Sequence, residues 1–350
     1  MTEMTPALPP AALRLAIDRE ALQANWRALD AMSGQARAAA AVKANAYGTG
    51  VHVAAPALLA AGCRDFYVAH TREAAELLGL VDPGMIGVLH GPVHNDDAAW
   101  LRATGVKPVI NSIAQAQRWL AAGGGACDLM IDTGINRLGL PLDQLGDEAI
   151  ARLDVDVLLS HLASAEEASP LNAVQLARWQ EVRTVVPHRR ASLANSAGIA
   201  LGADYHGDLT RPGLSLYGGI PCPALAGVIR QVVRPQAAIM QVRDIAPGDT
   251  VGYNATFRAE KPMRIGTIAL GYADGYLRCW SGQGTLHGNG DALPVLGRVS
   301  MDMTVVDLTS APHLQEGDWL EADYSLPDAA AASGLSQYEL LTLLGARFAR

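Results

Sequence analysis

The run from Ala38 to Gly50, Ala-Ala-Ala-Ala-Val-Lys-Ala-Asn-Ala-Tyr-Gly-Thr-Gly, leaves few folds open. Its first half is small and apolar, the pattern of a parallel strand buried on both faces. Its second half breaks into a loop with two glycines, where the backbone must turn or come close to a ligand. Lys43 stands at the junction. An amine ending an apolar strand is poorly solvated, and desolvation lowers its pKa toward that of a usable nucleophile. Such an amine forms a Schiff base with a carbonyl cofactor. A lysine that snorkels to the rim of the sheet is the competing reading.

The flanking chain repeats the strand motif. Leu13 to Ile17 is a short apolar segment, and a helix capped by Asp18 follows with Leu22, Trp26 and Leu29 on one face. Helices are expected over Val51 to Ala61, closed by Gly62, and over Thr71 to Leu80, capped by Thr71. Strands are expected at Phe66–Ala69, Ile86–His90, Pro108–Asn111, Asp128–Asp132, Val155–His161, Ala191–Asn195 and Leu214–Tyr217. With Ala38–Lys43 they make about eight strands over roughly 200 residues, which suits a (β/α)8 barrel. A doubly wound sheet is the runner-up, but its Gly-x-Gly-x-x-Gly fingerprint is missing after the first strand.

Barrel active sites lie at the C-terminal ends of the strands. Those ends carry Lys43, Asp132 with Arg137 just beyond, His161, Asn195-Ser196, and Arg211 with Gly213. This polar set suits an anionic cofactor with an aromatic ring. Each member has a plainer alternative: Arg137 as the partner of Asp132, His161 as a satisfied core histidine. After Tyr217 the texture changes to short β patterns punctuated by Arg234-Pro235, Pro247-Gly248-Asp249, Gly288-Asn289-Gly290 and Glu316-Gly317-Asp318. The expected division is therefore a barrel over 1–228 and a mostly-β domain over 229–350, with the first short segment a candidate to pair with the latter. Its strands include Ala238–Val242, Arg264–Leu270, Leu293–Leu296 and Met303–Leu308. A helix is expected over Ser336–Leu344, and either loop or helix over Pro327–Gly334.

At 350 residues, 50% hydrophobic and 18% charged, the chain is long enough for a large barrel plus a second domain. The net charge of −8 and the absence of a basic stripe argue against nucleic acid as a partner. Cys63, Cys127, Cys222 and Cys279 are too scattered for a zinc site or a disulfide framework, so no metal is expected. The N-terminus lacks the pattern of a secretory signal and no apolar run is long enough for a membrane, which makes the cytoplasm the expected location.

Several blocks carry a family resemblance. Ala-Val-Lys-Ala-Asn-Ala-Tyr-Gly (Ala41 to Gly48) resembles the cofactor-lysine motif of the alanine racemases, pyridoxal-phosphate enzymes with a barrel and a β domain. Blocks at Ile131–Gly139, Asn195–Ala197, Arg211–Leu214, Val251–Phe257, Gly271–Tyr276 and Gly297–Met303 resemble the family in the same order. The resemblance implies pyridoxal 5′-phosphate as cofactor, Lys43 as its covalent holder and first base, and Tyr253 as second base. Two bases on opposite faces allow a proton to leave one side of an α-carbon and return on the other. Arg211 would face the pyridine nitrogen, where a permanent guanidinium disfavours ring protonation. His161 would lie near the ring and contact Arg211. Tyr47, Ser196 and the N–H groups of Gly213 and Leu214 would hold the phosphate, with Tyr217 nearby. Arg137 would meet the substrate carboxylate. Tyr253, Tyr272 and Met301 would reach the site from a partner subunit, which implies a homodimer with shared sites.

Two of these blocks have plainer readings: Tyr253 as a strand tyrosine packing its ring and Tyr272–Tyr276 as only a turn. His90 and His94 suggest a metal pair, but no further ligands cluster with them, and a surface loop is the reading preferred. The chain also departs from the family. Thr49 replaces a usual histidine, and Met130 replaces a lysine that many members modify as a carbamate to position Arg137. The C-terminal Leu344–Phe348 lacks a phosphate-directed tyrosine. An amino-acid racemase is expected, alanine foremost. A racemase for serine or another amino acid and a non-catalytic pyridoxal-phosphate carrier are the alternatives. Its place in cell-wall precursor supply or in D-amino-acid catabolism stays open.

Overall fold

The computed structural model describes residues 9–350, which divide into two compact units. One runs from Asp18 to Val232; the other joins the residues up to Ile17 to Val233–Arg350. Leu13–Ile17 (β1) belongs to the latter. Asp18 opens the former, and its Oδ1 accepts the Ala21 N–H at 2.8 Å. That cap starts the helix Arg19–Met32, whose buried stripe is Leu22, Trp26 and Leu29.

The strands of this unit are β2 (Arg37–Ala38), β3 (Ala40–Ala41), β4 (Phe66–Val68), β5 (Ile86–Val88), β6 (Lys107–Ile110), β7 (Ala126–Met130), β8 (Asp154–Leu159), β9 (Arg190–Ser192) and β10 (Leu209–Thr210). β3 to β9 form one seven-stranded parallel sheet in chain order, and β10 pairs in parallel with β2. Only Ala39 separates β2 from β3, so the two ladders share one stretch of chain. The Ala39 N–H donates to Thr210 O at 2.8 Å and the Ala41 N–H to Pro212 O at 2.9 Å. Across the last gap the Arg211 N–H reaches Ala194 O at 2.8 Å. The circuit is that of the expected eight-stranded barrel, with a split first strand.

Leu214–Tyr217 was expected as the eighth strand and is a 3-10 helix; Leu209–Thr210 takes that place. All four residues are buried, and a short apolar run buried all round has no period that separates strand from helix. The helix expected over Thr71–Leu80 stops at Leu77, because Leu78 is already extended.

The second unit holds β1, β11 (Val233–Ile245), β12 (Thr250–Val251), β13 (Phe257–Arg258), β14 (Met263–Ile268), β15 (Thr285–Gly288), β16 (Asp291–Leu296), β17 (Thr304–Asp307) and β18 (Trp319–Ala322). The main sheet runs β1-β11-β14-β17-β16-β15-β18, and β18 returns to pair with β11, closing a ring of antiparallel strands. The closure leaves few free edges. Leu326–Ser333 is helical and ends at Gly334 in the left-handed conformation; Gln337–Thr342 is a second short helix. Among the described residues no helix is long and apolar enough to cross a membrane.

Candidate active site

Lys43 leaves the end of β3 half-buried, and the chain beyond it is unusual. Ala44, Asn45, Ala46 and Tyr47 all have φ between 51 and 54°, a turn of left-handed helix built without glycine. L-residues resist this by about 1–2 kcal/mol each, so the surroundings must hold the turn. Asn45 Oδ1 accepts the Val51 N–H at 2.7 Å, Asn45 O accepts the Gly50 N–H at 2.9 Å, and the Ala46 N–H donates to Val42 O at 2.8 Å. The turn swings Tyr47 inward, where its ring stacks on Tyr217 with centroids 4.9 Å apart. The Tyr217 hydroxyl donates to Ala41 O at 2.9 Å and so braces the strand that carries the lysine.

Charges of both signs act on the Lys43 amine. Burial depresses its pKa, Arg137 and Arg211 push the same way, and Glu73 opposes them. His161, just past β8, is held down to about 3 by burial, Arg211, Arg137 and Lys43, so its imidazole is neutral at pH 7. Arg211 is buried, and its two terminal nitrogens donate to Ser192 Oγ and to Ser160 O. Burial lowers it to about 10 against the pull of Tyr67 and Asp128, which leaves it charged at neutral pH. Of its two hydrogen bonds, one goes to the residue before His161 and neither to the imidazole. Asp132 Oδ1 accepts the N–H groups of Gly134, Ile135 and Asn136 at 2.8, 3.0 and 3.2 Å. That carboxylate shapes the loop, and the exposed Arg137 projects beyond it.

A set of donors converges nearby. Ser196 Oγ accepts the Gly213 N–H at 3.0 Å and the Ser215 N–H at 3.3 Å. Leu214 begins the following 3-10 turn, where an N–H has no partner within the turn. The Ser215 hydroxyl is buried and has no hydrogen-bond partner among the described residues. A Cβ on Gly213 would strike the Tyr47 hydroxyl and lie 3.3 Å from Ala41 Cβ, so only glycine lets the backbone approach here. Ser196 Oγ gathers the Gly213 and Ser215 N–H groups, and this cluster, with the unpartnered Ser215 hydroxyl beside it, suits the needs of a phosphate group.

The residues that depart from the family pattern have plain surroundings. Met130 packs with Ala39, Tyr67, Val109, Val157, Leu159 and Leu209 in the apolar interior. Thr49 is fully buried and its hydroxyl has no partner among the described residues.

In the second unit, Tyr253 begins a turn between β12 and β13 and is 69% exposed, so it is not a packed strand tyrosine. The Tyr272 N–H donates to Ser300 O and the Ala273 N–H to Met301 O, both at 3.0 Å. Tyr272 and Met301 thus sit on laced loops, and Met301 is 53% exposed. The Arg278 guanidinium lies 5.1 Å from the Tyr272 ring centre. Asp274, fully buried, accepts from the Gly271 N–H and from Arg347 Nε, which locks the Tyr272 turn.

Sequence reasoning missed Glu73, Ser160, Ser192 and Ser215. Of the two serines that receive Arg211, Ser160 follows the apolar end of β8, next to His161, whereas Ser192 ends the short β9, inside the strand expected from sequence. Glu73 had only its place in the first turn of a helix to mark it.

A barrel with an amine at a strand end, a neutral imidazole among cations and a donor-lined anion cradle has the layout of enzymes that hold an aromatic phosphate cofactor on lysine. The comparisons narrow the class. A model of the alanine racemase N-terminal domain matches residues 17–221, and one of the C-terminal domain matches residues 232–350. An alanine racemase of Rhizobium meliloti is 42% identical over 99% of this chain and 98% of its own. One from Acidiphilium cryptum is 42% identical over 96% and 97%. The crystal structure of the Bartonella henselae alanine racemase, with covalently bound pyridoxal phosphate, superposes with a TM-score of 0.88 at 35% identity, covering 97% of this chain and 99% of that one. The chain belongs to the alanine racemase family.

Proposed function

We propose that the protein is a pyridoxal-phosphate-dependent racemase that interconverts L- and D-alanine. The observation that carries this is the half-buried Lys43 set among Arg137, His161 and Arg211, beside the donors of Ser196, Gly213 and Ser215. The alanine racemase names of full-length relatives near 40% identity support the substrate. The cytoplasm is the proposed location, and the free thiols of all four cysteines support it.

Lys43 would hold the cofactor, with its phosphate against Ser196, Tyr47, Gly213, Leu214 and Ser215. Arg211 would face the ring nitrogen. When bound, the cofactor supplies an electron sink for the α-carbon's negative charge. The chain's residues do the rest. The depressed Lys43 amine is neutral more of the time than an ordinary lysine, which lets it take or return a proton on one face. Arg137, free of Asp132, meets the substrate carboxylate. Arg211 keeps its charge and His161 stays neutral, so neither competes as a proton donor near pH 7. Tyr253 is the proposed base for the opposite face. Its exposure, with that of Met301, supports a homodimer in which the partner subunit's Tyr253 completes each site.

The test is loss of the α-proton signal of L-alanine in D2O, followed by NMR, with chiral chromatography of the product. Exchange together with D-alanine is expected, and both should vanish in Lys43→Ala along with the bound cofactor's absorbance. A yellow protein that exchanges neither alanine enantiomer would sink the racemase and favour a carrier.

A further inference from the structure

Glu73 spends its carboxylate on the peptide that leaves Lys43. Its Oε1 accepts the Ala44 N–H at 2.7 Å. Its Oε2 accepts the Ala69 N–H at 2.7 Å and the His70 N–H at 3.1 Å. One side chain thus ties the first residue of the left-handed turn to the end of β4. Each bond joins an anionic acceptor to a backbone donor, which makes it stronger than a neutral pair. Asn45 and Gly50 secure the far end of the turn; Glu73 secures the near end.

A brace for the helix Thr71–Leu77 would need only the His70 and Ala69 contacts. The bond to Ala44 crosses to a separate segment, 29 residues earlier, next to the site's lysine. We propose that Glu73 is a positioning residue for Lys43, anchoring the adjoining peptide so that the side chain leaves from a fixed backbone. This rests on the reading of Lys43 as the cofactor lysine.

The charge has a consequence of its own. Arg137 and Arg211 disfavour a proton on the Lys43 amine, and Glu73 is the group that favours one. His161 and His90 also lie within electrostatic reach of the amine, and His90 stacks edge-on against His70 with centroids 4.3 Å apart. Removing the carboxylate leaves the amine facing cations and imidazoles, so its titration midpoint should fall.

The test compares the full-length wild type with Glu73→Gln, and with Glu76→Gln as a control at an exposed site on the same helix. Three quantities are read: the dissociation constant of pyridoxal phosphate, the lysine modified after borohydride reduction, and the pH midpoint of Lys43 acylation before loading. In Glu73→Gln the cofactor should bind about tenfold or more weakly, the loss expected of one charged hydrogen bond. The acylation midpoint should drop, while Glu76→Gln matches the wild type. Binding within twofold of wild type with an unmoved midpoint overturns the proposal, even if the variant melts earlier, since that marks a brace for the helix alone. Should Glu73→Gln not fold, Glu73→Asp keeps an acid in the helix's first turn and shortens its reach to Ala44; unchanged cofactor affinity there overturns the proposal too. Wild-type adduct on a residue other than Lys43 removes the reading beneath it instead.

Discussion

At the scale of single residues, Gly213 shows how the site depends on an absent atom. A Cβ there would meet the Tyr47 hydroxyl and sit 2.8 Å from its Cζ, and Tyr47 cannot retreat because its ring is stacked on Tyr217. Gly213→Ala should cost about 1–3 kcal/mol, the usual range for overpacking, and weaken cofactor binding. Gly146→Ala is the matched control, because a Cβ at Gly146 meets nothing within 4 Å. Urea unfolding and cofactor titration check both; equal behaviour of the two variants would mean that the cradle has slack. The strand-end placement of the candidate residues was legible. Lys43, Arg137, His161, Ser196 and Arg211 were marked by polar identity at the ends of apolar strands. Glu73 was not, because its partners are backbone N–H groups that no side-chain pattern reveals. The left-handed turn was hidden for a related reason: the two glycines marked a loop after Lys43, but Ala44 to Tyr47 include no glycine to mark a run of positive φ, and only tertiary contacts hold it there.

At the scale of elements, the strand starts carry a second polar layer that no motif announced. Lys107 opens β6, Arg190 opens β9, Asp65 precedes β4, and Asp128 and Asp156 are each third in β7 and β8. Lys107 Nζ lies 2.6 Å from Asp156 and 3.7 Å from Asp128. Arg190 grips Asp65 through two bonds of 2.9 and 3.1 Å and reaches Asp156 at 2.9 Å. Asp128 has no solvent exposure, takes a bond from the Tyr67 hydroxyl at 2.9 Å, and has its carboxyl pushed up by burial. The layer sits at the face of a barrel that stabilises, opposite the ends that hold Lys43. Lys107→Met would take from Asp128 its nearer cation and from Asp156 a 2.6 Å partner, and should cost about 3–5 kcal/mol, whereas adding Asp128→Asn should recover the part of the loss that belongs to Asp128. Denaturant curves for the two single variants and the double decide it. Additive losses would mean the two charges do not sense each other. This layer escaped sequence reading because its members lie up to 125 residues apart and meet only when the barrel closes. The misplaced eighth strand has a different cause: Leu214–Tyr217 is buried whichever way it coils, so burial could not choose its shape.

At the scale of the whole molecule, the proposed chemistry needs two groups that the chain puts in different units. Lys43 belongs to Asp18–Val232, and Tyr253 to the unit that includes Val233–Arg350. The proposed homodimer brings one protomer's Lys43 to the partner subunit's Tyr253, and two-fold symmetry then makes two equivalent composite sites. Lys43→Ala and Tyr253→Phe should each abolish racemisation, Tyr253→Phe while still binding cofactor. Mixed under conditions that exchange subunits, half the dimers become hybrids. Each hybrid carries one site with both bases and one with neither, so activity should return to about one quarter of wild type if the sites act independently. Each site built within one chain predicts no recovery at all, because every protomer in the mixture lacks one base. Light scattering identifies the oligomer in the same samples. Activity that stays at zero in proven hybrids would place both bases on one chain and remove the shared-site dimer, while leaving the lysine, the cradle and the cofactor reading intact.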